Sequence, residues 1–203
     1  ACERANGRPL GTGTAGRVPY AGADSGVTGE NASVITVDAD SLGTGATKDL
    51  DLSSYIALGF SRFRLFIDGF EPATDGATLD VQVSTDAGSN WVSTNYRFAL
   101  NQTANGAVTG VASAAGSSIP LSNTVGNAAD ERASVIATFR CGATWFDLHS
   151  QASFIRAAGD VLMAVVSGSR KSGSVNAIRI KPSSGNIDAG SFILQALRDA
   201  ELT

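Results

Sequence analysis

The residues with the most catalytic potential in this sequence are its single histidine and two cysteines. A serine-hydrolase triad would have to use His149, which lies in Asp147-Leu-His149-Ser and is accompanied by no Gly-x-Ser-x-Gly elbow. A zinc site needs several suitably spaced ligands, and Cys2, Cys141 and His149 do not provide that spacing. We therefore expect no metal site, and we interpret His149 as a structural or surface residue.

Two further features of the sequence bear on cofactor binding and on glycoside hydrolysis. The glycine-rich residues 11–16 follow no predicted strand and precede no predicted helix, so they are interpreted as a loop. Carboxylate pairs such as Asp75 with Asp80, or Asp130 with Glu131, could serve a retaining glycosidase only about 5–5.5 Å apart across a cleft. The adjacent pair Asp130-Glu131 is typical of a solvated loop. We therefore predict no cofactor and a protein that is not an enzyme.

Composition and charge narrow the class of protein and its partners. The chain has 203 residues, 43% of them hydrophobic, which is enough for one domain with a substantial core. Its net charge of −4 provides no basic footprint for nucleic acid, and no apolar run reaches the ~20 residues of a membrane helix. The polar residues are mostly Ser, Thr, Asn and Gly, which suit strands and turns. We expect an all-β protein that binds neither nucleic acid nor membrane.

Strand-like segments recur at short intervals from about residue 31 onward. Apolar and polar residues alternate most clearly at residues 79–84, where Leu79, Val81 and Val83 share one face of the predicted strand. Further strands are predicted at residues 33–37, 49–55, 60–67, 91–98, 107–112, 119–121, 133–139, 144–148, 161–166, 177–181 and 191–195. The predicted core consists of Phe63, Leu65, Leu79, Val81, Val83, Ile136, Val165, Ile178, Ile180 and Phe192. This pattern predicts an antiparallel β-sandwich, jelly-roll-like, over residues 32–203.

Residues 1–31 form a separate zone. Glycine and proline separate isolated apolar residues that follow neither a helical nor a strand period, namely Leu10, Val18, Tyr20 and Val27. We expect an extended N-terminal arm whose apolar residues contact a neighbouring subunit, with added main-chain hydrogen bonds, in a homo-oligomer such as a trimer or ring. A terminus without a binding role is the alternative.

The start of the sequence bears on its compartment. The first residues show no basic-then-apolar pattern, so no signal peptide is expected, and Ala1 is a small residue that would permit removal of an initiator methionine. Synthesis in a cytoplasm is therefore expected, where cysteines stay reduced. In the alternative, Cys2 on the arm forms an interchain disulfide after release into an oxidising medium.

One short segment of the sequence matches a known turn motif. The segment Ser84-Thr-Asp86-Ala-Gly88-Ser-Asn-Trp91 fits the pattern Ser-x-Asp-x-Gly-x-x-Trp and resembles the Asp box of sialidases and other β proteins. Asp86 is expected to accept backbone N–H hydrogen bonds, Gly88 to supply a positive φ, and Trp91 to pack under the hairpin. The motif predicts a structural turn rather than a catalytic site.

A wider resemblance covers residues 50–197. Three segments, Leu79-x-Val81-x-Val83-Ser84-x-Asp86-x-Gly88, an aromatic Tyr-x-Phe strand and a final Gly-x-Phe-x-Leu strand, resemble the β-sandwich domains of tailed-bacteriophage virion proteins, the fibre, spike and collar or decoration class. The segments that carry the likeness are residues 50–55, 63–72, 74–76, 79–96 and 176–194. The chain departs from the family at its end, where Gln195-Ala196 replaces the usual Tyr-Gly pair.

The resemblance implies a structural component of a phage particle. Such a subunit would decorate the head, form the collar or neck, or belong to a tail appendage, assembling with itself and with other virion proteins after synthesis in the host cytoplasm. Contact with a host surface glycan is a further expectation of this class. The alternative is a carbohydrate-binding β-sandwich module that stacks sugars on aromatic rings, with Trp91, Tyr96 and Trp145 as candidates. Each of the three also has an interpretation as a core residue.

Overall fold

The structure is a computed structural model that describes residues 34–156, 159–171 and 173–198. This part of the chain contains twelve strands and one short helix, which confirms the predicted all-β antiparallel sandwich. The elements are β1 (Val34–Ser41), β2 (Lys48–Asp51), α1 (Ser53–Ala57), β3 (Arg62–Pro72), β4 (Leu79–Ser84), β5 (Tyr96–Ala104), β6 (Ala107–Gly116), β7 (Ile119–Pro120), β8 (Ala133–Cys141), β9 (Trp145–Ile155), β10 (Val161–Lys171), β11 (Ala177–Pro182) and β12 (Ile187–Leu197). No helix in the described residues is long and apolar enough to cross a membrane.

The strands form two antiparallel sheets of unequal size. The larger sheet has eight strands in the order β1-β12-β3-β8-β9-β10-β5-β6, and the smaller has four in the order β2-β11-β4-β7. The two sheets pack together around one shared hydrophobic core. Strand β4 is buried at every position, whereas β8, β9 and β10 alternate between buried and exposed residues. The larger sheet therefore has an inner face on the core and an outer face toward solvent.

The predicted core is confirmed at eight of its ten positions and is wrong at two. Ile136 in β8 is 52% exposed and Val165 in β10 is 54% exposed. Side chains alternate along a strand, and β8 points Val135 and Phe139 inward, which places Ile136 on the outer face. In the same way β10 buries Leu162, Ala164 and Val166. Both errors assigned the wrong face to a correctly predicted strand.

Two predicted segments have different local structure. The strand predicted over residues 49–55 ends at Asp51, and helix α1 follows, in which Tyr55 is buried and donates a hydrogen bond to the Val37 carbonyl (3.2 Å). The strand predicted over residues 91–98 begins only at Tyr96. Because β4 and β5 belong to different sheets, the turn motif between them is a connection between sheets, and its assignment as a hairpin was wrong. The expected arm, residues 1–31, lies outside the described residues.

Candidate functional site

The turn motif after β4 is organised by Ser84, whose side chain is fully buried. Its Oγ donates to Asp86 Oδ1 (2.6 Å) and accepts the backbone N–H groups of Asp86 (3.2 Å) and Gly88 (3.0 Å). The Asp86 carboxylate also accepts from the backbone and the side-chain amide of Asn90 (2.8 and 2.7 Å). Gly88 has φ of 88°, and a Cβ at this position would lie 3.3 Å from the Trp91 ring. These hydrogen bonds of Ser84 and Asp86 are internal to the turn, and the Ala87 N–H donates to Asn176 Oδ1 (2.8 Å), which fits a structural role.

The same hydrogen bonds hold the pKa of Asp86 at about 2, below its usual 3.8, with the bond from Ser84 as the largest cause and the bonds from Asn90 next. A carboxylate whose pKa is lowered by folding stabilises the folded state above its unfolded pKa, and that contribution is lost as protons bind at lower pH. The contribution of Asp86 is therefore complete above about pH 4 and declines toward pH 2.

Replacement of Ser84 by alanine is expected to lower the free energy of unfolding by about 1–3 kcal/mol, because two backbone N–H groups of the turn lose their acceptor. Urea titration measures the change. Ser89→Ala in the same turn is the control, since Ser89 is exposed and contributes only its backbone N–H to the turn. Equal stability of the two variants would contradict the structural role assigned to Ser84.

The three candidate sugar-stacking aromatics lie in different environments. Tyr96 is fully buried. Its hydroxyl accepts a hydrogen bond from the Val83 N–H (2.8 Å) and donates one to the Val92 carbonyl (3.1 Å). Because the ring is not accessible to a ligand, the assignment of Tyr96 as a stacking residue was wrong. Burial raises the pKa of this phenol above its usual value. Trp91 is partly buried beneath the guanidinium of Arg179, which lies 4.3 Å from the ring centroid.

Trp145, by contrast, begins strand β9 and is 40% exposed, so its interpretation as a core residue was wrong. The Arg140 guanidinium lies 5.3 Å from the centroid of its ring. A Cβ on Gly142 would come within 2.9 Å of the indole, which shows how closely the ring packs on the backbone there. Trp145 is therefore the one candidate aromatic with a substantial exposed area.

His149 lies in a shallow groove of about 320 Å³ on the outer face of the larger sheet. The groove is also lined by Asp147, Arg97, Ser167 and Ser169. Asp147 Oδ1 is buried and has no hydrogen-bond partner among the described residues, and burial raises the pKa of this carboxyl, opposed by His149 and Arg140. The groove thus brings together Asp, His and Ser, the residue types of a catalytic triad. The buried oxygen of Asp147, however, makes no hydrogen bond to another described residue. The absence of catalysis stays a prediction.

The cysteine of the described residues is Cys141. It is buried and unpaired, and burial raises the pKa of its thiol to about 12, with Asp147 adding to the effect. A thiol that stays protonated is a poor nucleophile and a poor metal ligand. In the described part of the chain no group of three His, Cys, Asp or Glu side chains could hold a metal ion.

The outer face of the larger sheet carries an apolar row that runs across adjacent strands. Ile193 of β12, Phe66 of β3 and Ile136 of β8 are direct partners in the sheet, and the row continues through Gln151 of β9 to Val165 of β10. We call these five residues the outer stripe. Ile193, Ile136 and Val165 are exposed large apolar side chains, and Phe66 is partly buried. Gln151 interrupts the row, but the adjacent apolar side chains of Ile193, Phe66 and Ile136 form partly exposed apolar surface of the kind that is typical of an interaction site.

Basic residues lie next to the outer stripe, toward one end of the strands. Arg62 of β3 is paired with Arg140 of β8, which is paired in turn with Asp147 of β9. Arg64 lies one exposed position nearer the stripe, and its guanidinium is 6.0 Å from the Phe66 ring. Positive charge is thus concentrated at one end of the outer face of a protein whose net charge is −4. The surface combines apolar area with charge, as protein interfaces do.

The residues predicted to contact a neighbouring subunit, Cys2, Leu10, Val18 and Tyr20, lie outside the described residues, as does Val27. Their role stays a prediction. The outer stripe was missed by sequence reasoning, although the spacing of Val135, Ala137 and Phe139 could have indicated that Ile136 faces the other way.

Comparison of the chain with family models, with curated proteins and with solved structures finds no match of any of the three kinds.

Proposed function

We propose that the chain is a structural subunit of a bacteriophage particle, as a head decoration, a collar or neck subunit, or part of a tail appendage. The outer stripe is the observation that carries the proposal. It places Ile193, Phe66 and Ile136 side by side on the solvent face of a long sheet. Covering apolar surface contributes roughly 25 cal/mol per Å², so such a face is stabilised by contact with another subunit.

Three further features support an assembling subunit. The sandwich is antiparallel, as the resemblance to phage virion domains implies. The turn motif forms hydrogen bonds within itself. The only histidine lies in an open groove, and the cysteine of the described residues is buried with a raised pKa. Contacts between subunits, rather than chemistry on a small substrate, are what these surfaces suit.

Location in a particle is tested with an antibody raised against the purified chain. Particles of a phage that carries the gene are imaged by negative-stain electron microscopy with and without the antibody. We expect labelling at a fixed position on the particle. Antibody that binds only protein free in the lysate, with particles unlabelled, would contradict the proposed function.

The outer stripe makes a separate prediction. Replacing Ile136 and Ile193 together by serine is expected to reduce incorporation into particles about tenfold or more, because the loss of two partly exposed apolar side chains costs at least about 1.4 kcal/mol of contact. Leu58→Ser is the matched control, since Leu58 is exposed between α1 and β3 and lies outside both sheets. Incorporation is measured by quantitative blotting of purified particles. Unchanged incorporation of the double variant would show that the stripe is not an assembly contact.

A carbohydrate-binding module is the second candidate function, and exposed Trp145 beside Arg140 is the observation that favours it. In that case Trp145→Ala should abolish binding to a panel of bacterial surface polysaccharides, while Ile136→Ser should retain it. Binding to no member of the panel by the unaltered chain would remove this candidate.

A further inference from the structure

The two sheets have four edge strands in the described residues, and three of them resist further pairing. Strand β1 has a register irregularity and carries Asp38 and Asp40. Strand β2 has four residues, three of them charged, and β7 has two residues and ends at Pro120. Bulges, charge, proline and short length are the devices by which proteins prevent unwanted pairing at sheet edges. The fourth edge strand, β6, has none of them along most of its length.

Strand β6 is long, uncharged and exposed. Its ten residues pair with β5 alone within the described residues, in regular register from Ala107 opposite Ala104 to Ser113 opposite Phe98. No charged residue occurs in the sequence between Arg97 and Asp130. Its free edge therefore presents unpaired backbone donors and acceptors with no charge or proline to discourage an added strand.

Both faces of β6 are also open. Val108 is 71% exposed, and Val111 is 51% exposed although its partner in β5, Leu100, is buried in the core. A cleft of about 290 Å³, lined by Leu100, Val111 and Pro120 among others, lies between β6 and the β7 segment. Val111 therefore lacks cover on the inner face, where the smaller sheet ends, and Val108 is exposed on the outer face.

We propose that β6 pairs antiparallel with β6 of a second copy of this chain, so that two eight-stranded sheets join into one sheet across a two-fold axis. The inference rests on the proposed function as an assembling subunit and names one of its contacts. A two-fold axis pairs each strand with its own copy, so charges of one sign carried by the strand are brought close together across the new pair and repel. A strand without charge is self-complementary in this arrangement, and β6 is the one edge strand of the described residues that meets this condition over such a length.

Self-pairing also accounts for the exposed valines. In the joined sheet, Val108 and Val111 of each copy face residues of the same uncharged segment in the other copy. The new strand pair provides hydrogen-bond partners for the backbone groups at the β6 edge of each copy. A partner bound only to the outer stripe would leave those backbone groups unpaired. Pairing at the β6 edge also leaves the outer stripe free for a different contact, because the stripe crosses β12, β3, β8, β9 and β10.

The test is a charge exchange on the full-length purified chain. One variant carries Val108→Lys and Val111→Lys, and the other carries Val108→Glu and Val111→Glu. Sedimentation velocity measures the association of each, and circular dichroism checks that each retains its sheet. We expect the unaltered chain to dimerise, each variant alone to associate at least tenfold more weakly, and an equimolar mixture of the two variants to recover the dimer.

A matched control carries the same charges elsewhere on the sheet. Val161→Lys with Met163→Lys places two lysines at exposed apolar positions of β10, away from the edge, and should leave the dimer intact. An unaltered chain that stays monomeric would overturn the proposal, and so would a Lys variant that dimerises normally. A mixture that fails to recover the dimer would also overturn it.

The charge-exchange test of the β6 contact and the antibody test of the phage role can succeed or fail independently. Dimers that respond to charge exchange, with particles that the antibody does not label, would retain the β6 contact and reject the phage role. Labelled particles, with a Lys variant that still dimerises, would retain the phage role and reject the β6 contact.

Discussion

Replacement of Phe139 by alanine is expected to lower the free energy of unfolding by about 3–5 kcal/mol, the cost of deleting a large buried aromatic side chain. Phe139 lies between two other rings in the core, stacked on Phe63 at 5.4 Å between centroids and tilted against Phe146 at 5.8 Å. These three residues come from β3, β8 and β9, so their cluster joins three adjacent strands of the larger sheet. Chemical denaturation followed by tryptophan fluorescence measures the loss.

The control for this prediction is Phe66→Ala. Phe66 lies in the outer stripe and is only partly buried, so its truncation leaves no enclosed cavity and should cost clearly less than that of Phe139. If the two variants lost the same stability, the assignment of the inner and outer faces of β3 and β8 would be wrong.

Replacement of Gly190 by alanine is expected to cost about 2–6 kcal/mol, the sum of two separate effects. Gly190 has φ of 134°, a conformation that residues with a Cβ rarely adopt, which costs roughly 1–3 kcal/mol. A Cβ there would also lie 2.8 Å from Leu42 Cδ1 and 3.1 Å from the Cα of Phe70, and overpacking of this kind costs about another 1–3 kcal/mol. The position lies at a register irregularity between β12 and β3 and also bonds Leu42 through its carbonyl.

Gly43→Ala separates these two effects. Gly43 has φ of 75°, and a Cβ there would meet nothing within 4 Å, so this variant reports backbone strain without a steric clash. Thermal unfolding should show a larger loss for Gly190→Ala than for Gly43→Ala. Equal losses would show that the close approach of β12 to Phe70 and Leu42 is not a constraint on the fold.

Local sequence patterns were sufficient to predict most strands but not which face of each strand is buried. Residues 79–84 alternate cleanly, and the structure places β4 at those residues. The apolar run at residues 161–166 has no polar residue to mark the outer face, so Val165 could not be distinguished from Leu162 by alternation. Face assignment in such a run depends on the pairing with β9 and β5, which is a property of the whole sheet.

The candidate surfaces were less accessible to sequence reasoning than the turn motif. Ser84, Asp86 and Gly88 interact within a few residues of one another, so a local pattern describes them well. The outer stripe brings together residues as distant in the sequence as Phe66 and Ile193, and it exists only once β12 lies beside β3. Tyr96 was misjudged for the same reason, because its buried hydroxyl bonds Val83 of the other sheet.

The position of β12 between β1 and β3 has a consequence for the order in which the protein folds. Strand β1 pairs with β12, with Val34 opposite Leu197. Strand β1 therefore cannot form this pairing until residues 187–197 have been synthesised. Neighbours in sequence such as β8, β9 and β10 can form a meander much earlier. Because contacts of long sequence separation slow folding, completion of the large sheet is a late step, during which the open side of β3 is exposed to other nascent chains. In a cell that makes many copies at once, correct folding therefore competes with premature association, and the balance depends on how quickly β12 inserts.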